Sequence, residues 1–211
     1  MSALSLPAAS RQNAGQELRR IVRINEEIKK VVTTAFKINL MAMNAIFLAK
    51  RAGQSALGFG VLSNELRRFA MDLQRQMETL RIATTDSVVV VTGLVKQTRV
   101  ERIFQRTLAV SKGQGRRMVE ACLRARNDRY SGDESGGVTA LNRRLSQMIS
   151  DTAQLVELGS VLARSAKIEA AYGGTFSTSL MQVSSDFEQT ISDIQKSLDT
   201  LTKHQSQEFA G

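Results

Sequence analysis

A single cysteine, Cys122, stands in 211 residues, so no intramolecular disulfide can form and a reducing cytoplasm suits the chain. There is one proline, Pro7, no tryptophan, and only 5% of residues are aromatic. Such scarcity argues against β-sandwiches and barrels and favours long helices packed through Ala, Leu, Ile, Val and Met. Residues 1–15 are small and polar, without the charged start and apolar core of a signal peptide, and are expected to be a flexible N-terminus. The longest apolar runs, 41–49 and 88–91, are too short to span a bilayer. The single histidine, His204, has no metal-ligand company, and no nucleophile–base, phosphate-loop or dinucleotide motif is present. The expectation is a non-catalytic, cytoplasmic protein with neither metal nor cofactor. Cys122 is expected to be a small buried residue.

Hydrophobic residues make up 42% of the chain, enough for a core. The net charge of +9 is uneven: residues 1–80 carry 12 basic and 6 acidic side chains, 81–137 carry 11 and 6, and 138–211 carry 6 and 8. The basic middle (Lys96, Arg99, Arg102, Arg106, Arg116, Arg117, Arg124, Arg126, Arg129) has no interleaved aromatics. It reads as a solvated helix face, which disfavours nucleic acid or a membrane surface as partner. If either did bind, the binding would be steeply salt-dependent.

From Leu18 the apolar residues keep a heptad. Ile21, Ile28, Ala35, Ala42 and Ala49 interleave with Ile24, Val31, Ile38 and Ala45, the seam of a coiled coil or bundle. Gly53 predicts the end of this helix. A second helix begins near Gly58 and turns Phe59, Leu62, Leu66, Phe69, Leu73, Met77 and Leu80 inward. A shift of 121 residues makes the pattern recur without a gap. Ala42, Ala45, Ala49 and Gly53 fall on Ala163, Ala166, Ala170 and Gly174, Ile28 on Ile149, and Ser63 on Ser184. A duplicated hairpin follows as the expectation: a flexible start at 1–15, copy one at 16–80, a basic helical connector at 81–137, and copy two at 138–206. Within the connector, 88–110 reads as helical despite its β-branched run, 112–115 as a turn, 116–126 as a returning helix and 131–137 as a loop. The fold class is all-α: two long antiparallel hairpins forming a four-helix bundle, an intramolecular pseudo-dimer.

Residues 35–70 resemble the signalling tip of methyl-accepting chemotaxis proteins. The motifs arrive in order: Asn39 with Asn44-Ala45, Ala49-x-Arg51-Ala52-Gly53, Gly58-Phe59-x-Val61, and Glu65-x-Arg67. Copy two keeps a fainter trace over 162–174. The resemblance implies an interaction device. In that family the tips join bundles into trimers and engage a histidine kinase and a small coupling adaptor. Carried over, the trimer-type contacts are Phe36, Leu40, Met41, Met43, Asn44, Arg51, Glu65 and Arg67, and the adaptor-type contact is Val61. Three charged family positions are neutral here: Leu48, Gln54 and Leu57. No membrane spans or linker typical of receptors are evident. Only about 35 helical residues, about 53 Å, precede the tip, so no adaptational methylation is expected.

Phe36, Leu40, Met43 and Phe47 form an apolar line beside the seam. It is either covered by other helices of the chain or a partner-binding face. The implied partners are a chemosensory kinase, a coupling adaptor or chemoreceptors, with a homo-oligomer as a further option. The alternative is a helical scaffold that reuses the tip fold outside chemotaxis.

Overall fold

The heptad seam lies on one long helix, α1 (Ala8–Ala52), in the structure, a computed structural model that describes residues 8–130 and 134–206. All nine seam residues from Ile21 to Ala49 are buried, none more than 5% exposed. The core narrows from Ile to Ala toward residue 49, and Gly60 on the returning helix lies against the Ala49 methyl. Gly53 then adopts φ +67°, a left-handed conformation that side chains with a Cβ resist. A 3₁₀ turn, Gly53–Ala56, follows, in which the Ser55 hydroxyl donates to the Ala52 carbonyl at 3.0 Å. The chain returns as α2 (Leu57–Val110), continues in α3 (Gly113–Tyr130) and α4 (Glu134–Ala171), and turns through Gly174–Phe176 into α5 (Ser177–Ser206). No strand occurs among the described residues, and the fold is all-α, as expected.

Two compact units share these helices. One comprises Arg23–Ile82 and Leu145–Gly211, and the other Met1–Val22 and Ala83–Arg144. The first is the bundle, made by most of α1, the first half of α2, most of α4, and α5. Its core holds Phe59, Leu66, Phe69, Leu73, Met77 and Leu80 from α2 with Leu145, Ile149, Val156, Leu180, Phe187, Ile191, Ile194, Leu198 and Leu201. Leu62, expected inside, is half-buried. In the second unit Ile21, Ala83, Thr84, Ser87 and Val91 are buried. There Arg20 Nη2 donates to Asn142 Oδ1 at 3.2 Å, and Arg126 Nη2 donates to the Gln97 carbonyl at 3.0 Å.

Features of the two hairpins match at the 121-residue spacing. Gly174 has φ +57°, the counterpart of Gly53. Ser63 and Ser184 are both fully buried, and each donates to the carbonyl four residues earlier, Phe59 at 2.8 Å and Leu180 at 2.9 Å. Their hydroxyls are thus satisfied within their own helices and demand nothing across the core. Core residues of the two hairpins are not matched in size one by one. Phe59 and Leu66 fall on Leu180 and Phe187; Ile38 and Phe69 fall on Gly159 and Thr190. A Cβ at Gly159 would meet the Phe69 ring at 2.5 Å, so Phe69 fills the space that Gly159 leaves.

Several expectations are corrected. Residues 8–15 are not a loose start but the first turns of α1; extending an existing helix adds a hydrogen bond per residue without a new nucleus. Residues 1–7 lie outside the described residues. The helix from Gly58 does not end at the copy boundary: 57–110 is one helix of 54 residues. The small propensity penalty of the valines is offset where Ser87 and Val91 are buried. The loop expected at 131–137 is shorter, because α4 begins at Glu134, and 131–133 lie outside the described residues. Cys122 is exposed, because α3 buries none of its described residues fully and turns only Val119, Glu120, Leu123 and Arg126 partly inward. One stretch within Arg19–Val110 meets the length and composition of a membrane span, although 28% of it is buried within the protein. A window that tolerates a charge finds it, whereas uninterrupted apolar runs do not.

The left-handed glycines give one test. Gly53 has no neighbour within 4 Å of a Cβ, and a Cβ at Gly174 meets only Ser55, at ordinary contact distance. Gly53→Ala and Gly174→Ala should therefore each lose about 1–2 kcal/mol through the backbone alone, read as a lower midpoint in thermal unfolding. The core gives another. Gly159→Ile should cost about 1–3 kcal/mol by overpacking against Phe69. Adding Phe69→Thr, which gives positions 159 and 69 the residues found at the corresponding positions 38 and 190, should make the double variant more stable in urea than either single variant.

Candidate partner-binding site at the hairpin tip

The face of α1 opposite its seam carries the apolar line. Phe36, Leu40, Met43 and Phe47 follow a four–three–four spacing, which keeps them on one side of a helix. They are 52%, 46%, 37% and 61% exposed. Of the two alternatives for this line, the uncovered one holds. Leu57 and Val61, both about 60% exposed, extend the apolar surface onto α2 beyond the turn.

The remaining expected contacts divide. Asn44, Arg51, Gln54 and Arg67 are exposed. Leu48 and Glu65 are half-buried, and Glu65 accepts from Arg68 at 2.8 Å. Met41 is half-buried; its Sδ lies 3.8 Å from the Thr190 hydroxyl on α5, so it packs toward the bundle and does not join the outward line.

Charge sharpens the surface. Between Ile28 and Asn64 there is no acidic residue, while Lys37, Lys50 and Arg51 are exposed. The charged side chains of this segment are thus all cationic. Further from the tip, the Glu26 carboxyl is held below the ordinary carboxylate range, chiefly by its hydrogen bond from Lys29 at 2.8 Å. Glu27 is 9% exposed and accepts from Lys30 at 2.7 Å. That acidic pair is thereby engaged by its own helix.

A second apolar surface was missed in reading the sequence. On α4 and in the turn just after it, Leu158, Val161, Ile168 and Tyr172 are between 52% and 74% exposed. The signal was available, because Val161 and Ile168 fall on Leu40 and Phe47 at the 121-residue spacing. Between α2 and α4 a groove of about 520 Å³ opens, lined by Gly58, Val61, Leu62, Ser165, Ile168 and Glu169. Its polar wall is the Glu169 carboxylate, which lies over Gly58 where a Cβ would otherwise project. The nearby Lys167 ammonium is committed to Glu188 at 2.6 Å.

An exposed apolar line beside cations, with a groove walled by one carboxylate, can bind another macromolecule. No protein-family model matches the chain. A sensory transducer protein of Acetivibrio thermocellus is 38% identical over 58 residues, which is 28% of this chain and 9% of that protein. The chain thus spans about a tenth of the length of the sensory transducer it resembles.

Proposed function

We propose that the chain is a non-catalytic, receptor-like signalling protein, built from a duplicated hairpin, that binds chemosensory components through its tip. The duplication is supported by the paired left-handed glycines, the paired buried serines and the common spacing of the core. The observation that carries the reading is the exposed line Phe36–Leu40–Met43–Phe47, continued by Leu57 and Val61. These residues lie within the segment that resembles a receptor tip. A histidine kinase, its coupling adaptor or true receptors are the partners, met in the cytoplasm. Leu48, Gln54 and Leu57 replace charged family residues, so the chain modulates or caps an assembly instead of activating the kinase.

The apolar surface on α4 favours a second reading, self-assembly into a helical scaffold outside chemotaxis. Light scattering separates the two, because a stable large homo-oligomer that ignores chemosensory proteins supports the scaffold.

The primary reading is tested by capturing purified adaptor and kinase on the full chain. Asn44 is exposed, so Asn44→Arg leaves the core untouched while placing a bulky cation beside the apolar line. Wild type should capture adaptor or kinase, and the variant should capture at least tenfold less with unchanged helical circular dichroism. No capture by wild type, or equal capture by the variant, would overturn the reading.

A further inference from the structure

If the two hairpins are equivalent, every surface feature at the tip should occur twice. The 121-residue spacing pairs the α2–α4 groove with a place between α5 and α1, and those two helices do meet, at Thr190 and Met41. There Ser179 replaces Gly58, Gln182 replaces Val61, Val183 replaces Leu62, Asn44 replaces Ser165, Phe47 replaces Ile168 and Leu48 replaces Glu169. Two of these changes matter most. Ser179 puts a Cβ and hydroxyl at the position where the bare Gly58 leaves room for the Glu169 carboxylate. Leu48 removes the carboxylate.

The chemistry of the open side is specific. Val61 and Ile168 stand 61% and 63% exposed on opposite walls. Between them lies the half-buried Glu169, whose carboxylate makes no ion pair among the described residues. The facing segment from 28 to 64 carries no acid, and a carboxylate with no ion pair among the described residues attracts a cationic group on a partner. A half-buried charge beside apolar walls is screened less than an exposed one.

We propose that the tip offers one partner groove per chain, on the α2–α4 side, and that it takes an apolar side chain flanked by a Lys or Arg that pairs with Glu169. The α1–α5 side lacks both the carboxylate and the glycine that makes room for it, so it does not accept the same ligand. This deepens the function proposed above and rests on it for the identity of the partner. Its consequence is valency: a symmetric tip with two grooves joins two partners, whereas this tip terminates a chain of contacts.

Two experiments on the full chain test it separately from that reading. The first uses isoamylammonium, an apolar cation, in a methyl NMR titration. Shifts should concentrate on Val61, Leu62 and Ile168, spare Val183 and Leu48, and weaken at least fivefold in Glu169→Gln. Equal shifts on both sides, no shifts, or an unchanged Glu169→Gln would overturn the groove assignment, whatever the adaptor does. The second is calorimetry with the coupling adaptor. Wild type should bind one adaptor per chain, and Gly58→Ser with Glu169→Leu should weaken binding at least tenfold. The reciprocal Ser179→Gly, Gln182→Val, Leu48→Glu variant should bind two. Binding that ignores the first pair of changes overturns the groove while leaving the tip reading intact. An adaptor that does not bind at all counts against the tip reading, and the amine titration then decides the groove. A wild-type chain that self-associates, and loses this in Glu169→Gln, would make a second copy the occupant and overturn the partner assigned here.

Discussion

Phe69 can sit in the bundle only because residue 159 has no side chain. The ring occupies the volume that a Cβ on Gly159 would enter, and it is 3% exposed there. At the corresponding positions of α1 and α5 stand Ile38 and Thr190, both buried, so that there neither position is a glycine. Phe59 and Leu66 fall on Leu180 and Phe187, the same two side chains in swapped order along α2 and α5, all four buried. The bundle therefore depends on a volume shared between two unlike hairpins, and protein cores tolerate redistribution of bulk far better than a change in its total. The alanine layers near the tip bring the helices close together. That close approach decides which side chains can still point outward and form a surface.

Much of this was legible in the sequence, because the relevant signals are local. A heptad of Ile and Ala positions needs no tertiary information, and every one of its members from Ile21 to Ala49 is buried. The same holds for Gly53, whose left-handed φ is a backbone requirement that other residues meet poorly. What was not legible depends on neighbours. The valines after Ser87 lower helix propensity locally, yet α2 runs through them because a helix already nucleated is cheap to extend. Cys122 is small and flanked by apolar residues, but α3 buries none of its described residues fully, and the residue type cannot reveal that.

The tip shows the same division. Phe36, Leu40, Met43 and Phe47 could be placed on one face by spacing alone, while their exposure could not, since a third helix might have lain over them. Met41 was grouped with them through the resemblance and turns toward α5 instead. Ile168 and Glu169 lie on the copy whose match to a receptor tip is faint, and their importance comes only from standing opposite Gly58 and Val61. Family likeness finds a residue that keeps its old company; it does not find one that has gained new company.

Covalent linkage makes such asymmetry attainable. In a homodimer each substitution appears twice, related by the two-fold axis. A dimer of the first hairpin would place Ile38 opposite Phe69 on both sides, and a dimer of the second would place Gly159 opposite Thr190 on both sides, one overfilled and the other hollow. Joined through residues 83–144, the two hairpins meet at an effective concentration set by the connector, with no dependence on protein concentration. Each can then specialise. One may lose bulk where the other gains it, and one may keep a carboxylate at the tip where the other holds Leu48. The Phe69–Gly159 fit and the presence of Glu169 on one side of the tip against Leu48 on the other are both differences that a strict two-fold dimer would not allow.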